Sequence, residues 1–206
     1  MAVTPGMAGY LTCRLPDSGI GDNEWNFQSR LSNTVTTFLL YNQTMNTPSM
    51  TSAQVLDLLE GTWKGEGRGY FPGVTSFDHR VTLVFTRRDA KTLAYEQRAQ
   101  KRYDGGTEWL ESHWESGFIQ ILANGEWELI SAQIGRGEVL IGTLETSDAL
   151  TRIHFVSKSI INDLRVISSA RTFELAGDTL RYEMEMHTTK VDRSTPHLDI
   201  ALQHRQ

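Results

Sequence analysis

The feature that most constrains the fold is a two-residue alternation of apolar and polar side chains, which begins near residue 60 and continues almost to the C-terminus. In the segment TLRYEMEMHTT, residues 179–189, apolar residues at even positions alternate with charged residues and a histidine. In DHRVTLVFT, residues 78–86, His79 shares one face with three apolar residues. Such alternation is typical of strands that bury one face.

Turn signals separate these strands and set their number. Asn124-Gly125 and Gly177-Asp178 are pairs that favour tight hairpins, and Asp104-Gly105-Gly106 is a third such signal. About nine or ten strands fit between the turns, so the sequence predicts an all-β fold, an antiparallel up-and-down β-barrel of about ten strands. One further helical turn is predicted in SIIND, residues 159–163.

The N-terminal quarter of the chain has a different character. Residues 1–50 are rich in Ser, Thr, Asn and Gly and lack sustained periodicity, so we predict a disordered leader or a start codon assigned too far upstream. Residues 51–206 form the predicted barrel domain. It opens with a short helix that Thr51 or Ser52 can cap, with Val55, Leu58 and Leu59 on one face.

Charge and cysteine content exclude several classes of function. The net charge of -5 gives no electrostatic basis for binding nucleic acid or an anionic membrane surface. No apolar run approaches the roughly 18 residues that a membrane span requires. The single cysteine, Cys13, fits a reducing compartment, which indicates a cytoplasmic protein.

The segment GTWKGEGRGYF, residues 61–71, places Gly61, Gly65, Gly67 and Gly69 on the same face as Trp63. Glycine weakens a strand, so a bare face requires a reason. Either the strand bends sharply where a barrel closes, with Trp63 as a core residue under the helix, or something bulky approaches the backbone closely.

Histidines are the residues most able to carry chemistry, because P-loop, nucleophile-elbow and zinc-site motifs are absent from the sequence. His113 lies on the same face as Gly117 and could point inward, and His79 is ambiguous. His197 follows Pro196, which fixes the backbone at the start of the last strand. Spacing alone leaves open whether His197 is a ligand or a satisfied strand residue.

Four segments together resemble the nitrobindin family of haem-binding β-barrels, which are also described as fatty-acid-binding-like and lipocalin-like. They are Gly61-x-Trp63-x-Gly65-x-Gly67, SHWESGFIQI (residues 112–121), ELISAQIG (residues 128–135) and MEMHTTKVDRSTPHLDIAL (residues 184–202). The likeness runs from about Leu56 to Gln203, and its specificity comes from the combination and order of the segments.

The resemblance implies a barrel that holds one ferric b-type haem, binds nitric oxide and isomerises peroxynitrite to nitrate. His197 falls at the position of the axial, metal-ligating and catalytic histidine, and His113 near the haem. The remaining residues that the resemblance places at the cofactor are Gly61, Trp63, Gly65, Gly67, Thr75, Thr188 and Thr189. Expected partners are small molecules, and either a monomer or a homodimer is compatible with the sequence.

Two departures from the family pattern concern this pocket. Gly73 stands where a threonine is usual, so Thr75 would have to supply the hydroxyl, and the segment between Met186 and His197 is one residue longer. A different class of function also remains open, a lipocalin-like carrier of an apolar ligand without haem or catalysis, because apolar pockets are not chemically selective.

Overall fold

The computed structural model describes residues 50–71, 74–103 and 105–205, and for residues 70, 71 and 74–76 it describes the backbone alone. The predicted leader, apart from Met50, lies outside the described residues. The elements in chain order are α1 (Ser52–Leu59), β1 (Gly61–Phe71), β2 (Val74–Asp89), β3 (Thr92–Tyr103), β4 (Leu110–Ile121), β5 (Trp127–Gln133), β6 (Arg136–Thr146), β7 (Thr151–Ile161), β8 (Val166–Ala176), β9 (Thr179–Thr188) and β10 (Thr195–Arg205).

The ten strands form one closed antiparallel barrel, as the alternation predicts. Each strand pairs with the next along the chain, and β10 returns to pair with β1. Gly69 lies opposite Leu198 in this closing ladder, and Trp63 lies opposite His204. Closure leaves no unpaired sheet edge. The described part of the chain contains no helix with the length and apolar character that a bilayer crossing requires.

Helix α1 covers one end of the barrel. Thr51 caps it through a capping box with Gln54, as predicted. The buried face consists of Val55, Leu56 and Leu59, whereas Leu58 is 47% exposed, so the predicted position of Leu58 on this face was wrong. Positions 55, 58 and 59 span about 100° of the helix, and so do positions 55, 56 and 59, so the helical period allows either face. The packing against the barrel selects the face that contains Leu56.

The end that α1 covers is called the helix end, and the opposite end, which carries the β1–β2, β3–β4, β5–β6, β7–β8 and β9–β10 connections, is called the far end. At the helix end the Trp63 indole donates to the Leu59 carbonyl at 2.8 Å. Arg87 forms ion pairs with Asp57 and Glu60. These contacts hold the helix over the interior and make Trp63 a core residue beneath it.

The predicted helical turn at residues 159–163 was wrong. Strand β7 continues through Ile161. The chain then turns at Asn162, whose φ of 65° is the left-handed conformation that asparagine tolerates better than most residues. The apolar pair at 160 and 161 is too short for its periodicity to distinguish a strand end from a helix.

The glycines of β1 are explained by close approach of protein atoms. A Cβ on Gly65 would lie 2.1 Å from the Ala201 carbonyl oxygen, and one on Gly67 would lie 2.5 Å from that of Asp199. A Cβ on Gly69 would lie 2.3 Å from the Phe77 ring. The bare face therefore lets β10 pack tightly against β1 where the barrel closes.

Candidate functional site

His197 lies at the far end of the barrel, at a β-bulge in strand β10. Pro196 pairs with Glu185 and Leu198 pairs with Met184, so His197 is an extra residue on its side of the ladder. A β-bulge of this kind redirects a side chain. Leu198 is buried as strand alternation requires, and His197 beside it is also only 4% exposed.

The surroundings of His197 favour a neutral imidazole. Burial lowers its pKa below the ordinary value, a hydrogen bond with the backbone of Thr195 opposes this shift, and the positive charge of Arg136 adds to it. A neutral imidazole is the form that binds a metal ion.

The structure brings only some of the predicted site residues to this end. His113 on β4 and Thr188 at the end of β9 lie at the far end, and both are half-buried. Thr189 is exposed there, and its N–H donates to the Arg165 carbonyl at 2.8 Å. Gly67 lies opposite Ile200, three residues after His197.

Other predicted residues lie elsewhere. Gly61 and Trp63 are at the helix end, and Gly65, opposite Val81, lies between the two ends. The side chain of Thr75 lies outside the described residues. The glycine motif thus runs along the barrel wall from one end towards the other.

The interior beneath the far end contains a buried network of charged side chains that the alternation did not predict. Its centre is Arg171 on β8, which binds Glu115 on β4 through both Nη atoms and Glu138 on β6 at 2.8 Å. Glu138 in turn lies 2.8 Å from Nε of Arg136. The network joins strands from opposite sides of the barrel.

Neutral groups complete the network around Glu115. The Tyr95 and Ser131 hydroxyls each donate to this carboxylate at 3.2 Å. Burial alone would raise the pKa of Glu115, but the Arg171 guanidinium and the His113 contact hold it well below its usual range. Glu115 is therefore an ionised carboxylate inside the barrel, and its charge is balanced by Arg171.

A sequence signal for this network exists in retrospect. Arg171 occupies the same face of β8 as Phe173 and Leu175, and Glu115 occupies the same face of β4 as Ile119. A charged residue on the apolar face of a strand needs a partner, because burying an unpaired charge is costly. The strand pattern does not show which two such residues meet across the barrel.

His79, which was ambiguous in the sequence, lies in the interior at the far end. Its ring packs edge-on against Phe77, with centroids 5.8 Å apart. Nε2 lies 3.5 Å from the Ser112 hydroxyl, and among the described residues no hydrogen-bond partner reaches Nδ1. Burial, with smaller effects from His113 and Lys101, lowers the pKa of His79 to about 4.

This shift predicts acid sensitivity. A histidine with an ordinary pKa of 6.5 when unfolded and about 4 when folded costs no stability above pH 6.5. As the pH falls from 6.5 towards 4, the unfolded state binds the proton first, so the free energy of unfolding declines by about 2 kcal/mol at pH 5.

Replacement His79→Phe should remove this decline while keeping a ring beside Phe77. The measurement is urea unfolding of both proteins at pH 8, 6 and 5. Between pH 8 and pH 5, the free energy of unfolding of the wild type should fall by about 2 kcal/mol more than that of the variant. Parallel pH profiles would show that His79 is not buried in its neutral form.

A groove of about 600 Å³ lies elsewhere on the barrel, along β2 to β5. Most of its lining side chains, including Val84, Ala94, Phe118 and Ile130, belong to the outward-facing positions of their strands. The histidines of the far end do not line it. The groove is therefore a feature of the outer surface, separate from the candidate site.

Comparison with known proteins identifies the family. Residues 52–204 match the family described as "THAP4-like, heme-binding beta-barrel domain". The chain belongs to this family. The match spans α1 and all ten strands, including His113 and His197.

Individual relatives carry related names. "Peroxynitrite isomerase Rv2717c" of Arabidopsis thaliana is 31% identical over 148 residues, which are 71% of this chain and 85% of the relative. "Peroxynitrite isomerase" of Nocardia farcinica is 33% identical over 132 residues, covering 62% and 76%. The crystal structure of Rv2717c from M. tuberculosis has a TM-score of 0.66 at 24% identity, covers 77% of this chain and 99% of its own, and confirms the fold.

Proposed function

We propose that the far end of the barrel binds one ferric b-type haem per chain, with His197 as the axial ligand, and that the loaded protein binds nitric oxide and isomerises peroxynitrite to nitrate. The observation that carries the proposal is the bulge in β10, which directs a buried, neutral imidazole to the far end of a barrel in a haem-binding family.

The residues at the far end fit such a group. Phe77, Val166, Met186 and Leu198 are buried apolar side chains near this end, as the flat face of a macrocycle requires. Within the described residues, no three His, Cys, Asp or Glu side chains are arranged to hold a bare metal ion. One histidine suffices for a haem, because the porphyrin supplies the other four ligands.

Each part of the site has a separate task. The bound haem would supply an iron atom that can take a small ligand. His197 holds the group, the apolar wall excludes water from it, and the ionised Glu115–Arg171 pair fixes His113 beside it. No residue of the chain is required to act as an acid–base pair for an isomerisation that is redox-neutral overall.

The test is a titration of the purified full chain with haemin, followed through the Soret band. The wild type should give a sharp band that saturates at one haem per chain, and His197→Ala should lose it. His154→Ala is the matched control, because His154 is exposed on the outer face of β7, and it should bind haemin like the wild type.

A broad band like that of free haemin, unaffected by His197→Ala, would overturn the proposal and favour a carrier of another apolar ligand. If haem binds, peroxynitrite decay and nitrate yield are measured on the loaded protein. If nitrate forms no faster than in buffer, the proposed isomerase activity is contradicted, whereas the proposal that the barrel binds haem is unaffected.

A further inference from the structure

We propose that Glu115 is a positioning residue that holds the neutral His113 imidazole with its proton on Nε2, so that Nδ1 is the hydrogen-bond acceptor offered at the far end. The inference depends on the proposed function only for the identity of the ligand that meets Nδ1.

The first step is that Glu115 has no proton to donate. Its carboxylate is 2% exposed and is surrounded by the Arg171 guanidinium and by the Tyr95 and Ser131 hydroxyls. A guanidinium can only donate hydrogen bonds, and here the hydroxyls also donate. Together with the depressed pKa of Glu115, these partners make both carboxylate oxygens acceptors.

The second step concerns the histidine. Nε2 of His113 lies 3.1 Å from Oε2 of Glu115. A neutral imidazole has one N–H and one lone pair, and an acceptor-only oxygen at this distance requires the N–H. The proton of neutral His113 therefore lies on Nε2, and the lone pair lies on Nδ1.

The third step is that this arrangement is held rigidly. Glu115 is fixed from β8 by Arg171, from β3 by Tyr95 and from β5 by Ser131. Among the described residues, Glu115 on its own strand contacts His113, His79 from β2 interacts with it electrostatically, and Arg171 lies behind the carboxylate. His113 cannot rotate to use its other nitrogen without breaking the contact to Glu115.

The consequence is a preference in the class of ligand. A lone pair at Nδ1 accepts a hydrogen bond from a proton-bearing ligand, such as water, a hydroperoxide or the acid form of peroxynitrite. Nδ1 has no proton to donate to an anionic ligand unless His113 becomes protonated on this nitrogen as well. Under the proposed function, His113 thus favours the protonated form of the substrate.

The experiment is nitrogen NMR of the uniformly ¹⁵N-labelled full chain without haem, recorded at an alkaline pH at which the His113 signals no longer change with pH, so that the imidazole is neutral. The spectrum of His113→Gln assigns the two His113 nitrogens by their disappearance. In the wild type, Nε2 should show the shift of a protonated ring nitrogen and Nδ1 that of an unprotonated one. The opposite pattern, or a mixture of both tautomers, would overturn the proposal.

Two variants separate positioning from general disturbance of the network. Glu115→Gln can donate to Nε2, so His113 should move to a mixed or reversed tautomer. Ser131→Ala removes another partner of the same carboxylate without touching His113, so the Nε2–H tautomer should persist. An unchanged tautomer in a folded Glu115→Gln protein would show that Glu115 does not set it.

If Glu115→Gln does not fold, the wild-type spectrum still shows which ring nitrogen of His113 carries the proton. The outcome is independent of haem, so this test and the haemin titration can fail separately. If His113 shows the predicted tautomer but the chain binds no haemin, the role of Glu115 is supported and the proposed function is contradicted.

Discussion

Replacement of Arg171 by methionine is expected to lower the free energy of unfolding by about 3–5 kcal/mol, because it leaves the buried Glu115 carboxylate without its arginine and leaves Glu138 with Arg136 alone. The guanidinium is 1% exposed, and its partners Glu115 and Glu138 are buried to a similar degree. Methionine fills much of the volume, so the loss measures the uncompensated charges rather than a cavity.

Urea unfolding at neutral pH measures the effect, and Arg165→Met is the matched control. Arg165 pairs with Asp163, but its side chain is 80% exposed. An exposed pair contributes about 0–1 kcal/mol. A deficit below 1 kcal/mol for Arg171→Met would show that the network does not hold buried charges together.

The pH dependence of this variant has a defined sign. Without Arg171, burial raises the pKa of the Glu115 carboxyl in the folded state, so the folded state takes up a proton more readily. Stability relative to the wild type should therefore recover as the pH falls towards about 4. A deficit that grows on acidification would contradict this assignment.

Replacement of Gly65 by alanine is expected to destabilise the barrel by about 3 kcal/mol, at the upper end for overpacking, because the clash involves backbone. The new Cβ would lie 2.1 Å from the Ala201 carbonyl oxygen and 3.0 Å from its carbon. Relief requires β1 and β10 to separate where the barrel closes.

Gly137→Ala is the control for this prediction. Its Cβ would lie 3.0 and 3.1 Å from Cγ1 and Cδ1 of Ile161, a side chain that can move, and at an ordinary 3.7 Å from the Ser131 carbonyl oxygen. Urea unfolding should show a much smaller loss for Gly137→Ala than for Gly65→Ala. Equal losses would mean that glycine is needed for strand flexibility in general and not for the approach of β10.

Much of the fold follows from local pattern. The alternation predicts which side chains of β2 and β9 face inward, and Thr51 predicts the start of α1, because both depend on residues close in sequence. The exposure of Leu58 shows that helical spacing alone does not determine which of two adjacent leucines faces the core. Strand β7 ends at Ile161, where a helical turn was predicted, because two apolar residues are too few to distinguish a strand from a helix.

The candidate site could be predicted only in part. Family resemblance indicated His113 and His197, but strict alternation places His197 on the opposite face to Leu198, and only the bulge after Pro196 buries both. The pairing of Arg171 with Glu115 depends on how the strands stagger around the barrel. That stagger brings together residues 56 positions apart, and local periodicity does not encode it.

The most direct test of the central claim is rescue of a cavity variant. His197→Gly removes the imidazole and leaves space for a free one, so it should lose the sharp Soret band on titration with haemin. Added imidazole should restore the band at one haem per chain, and the His154→Ala control should need no imidazole. Full binding of haemin by His197→Gly without imidazole would contradict the assignment of His197 as the axial ligand.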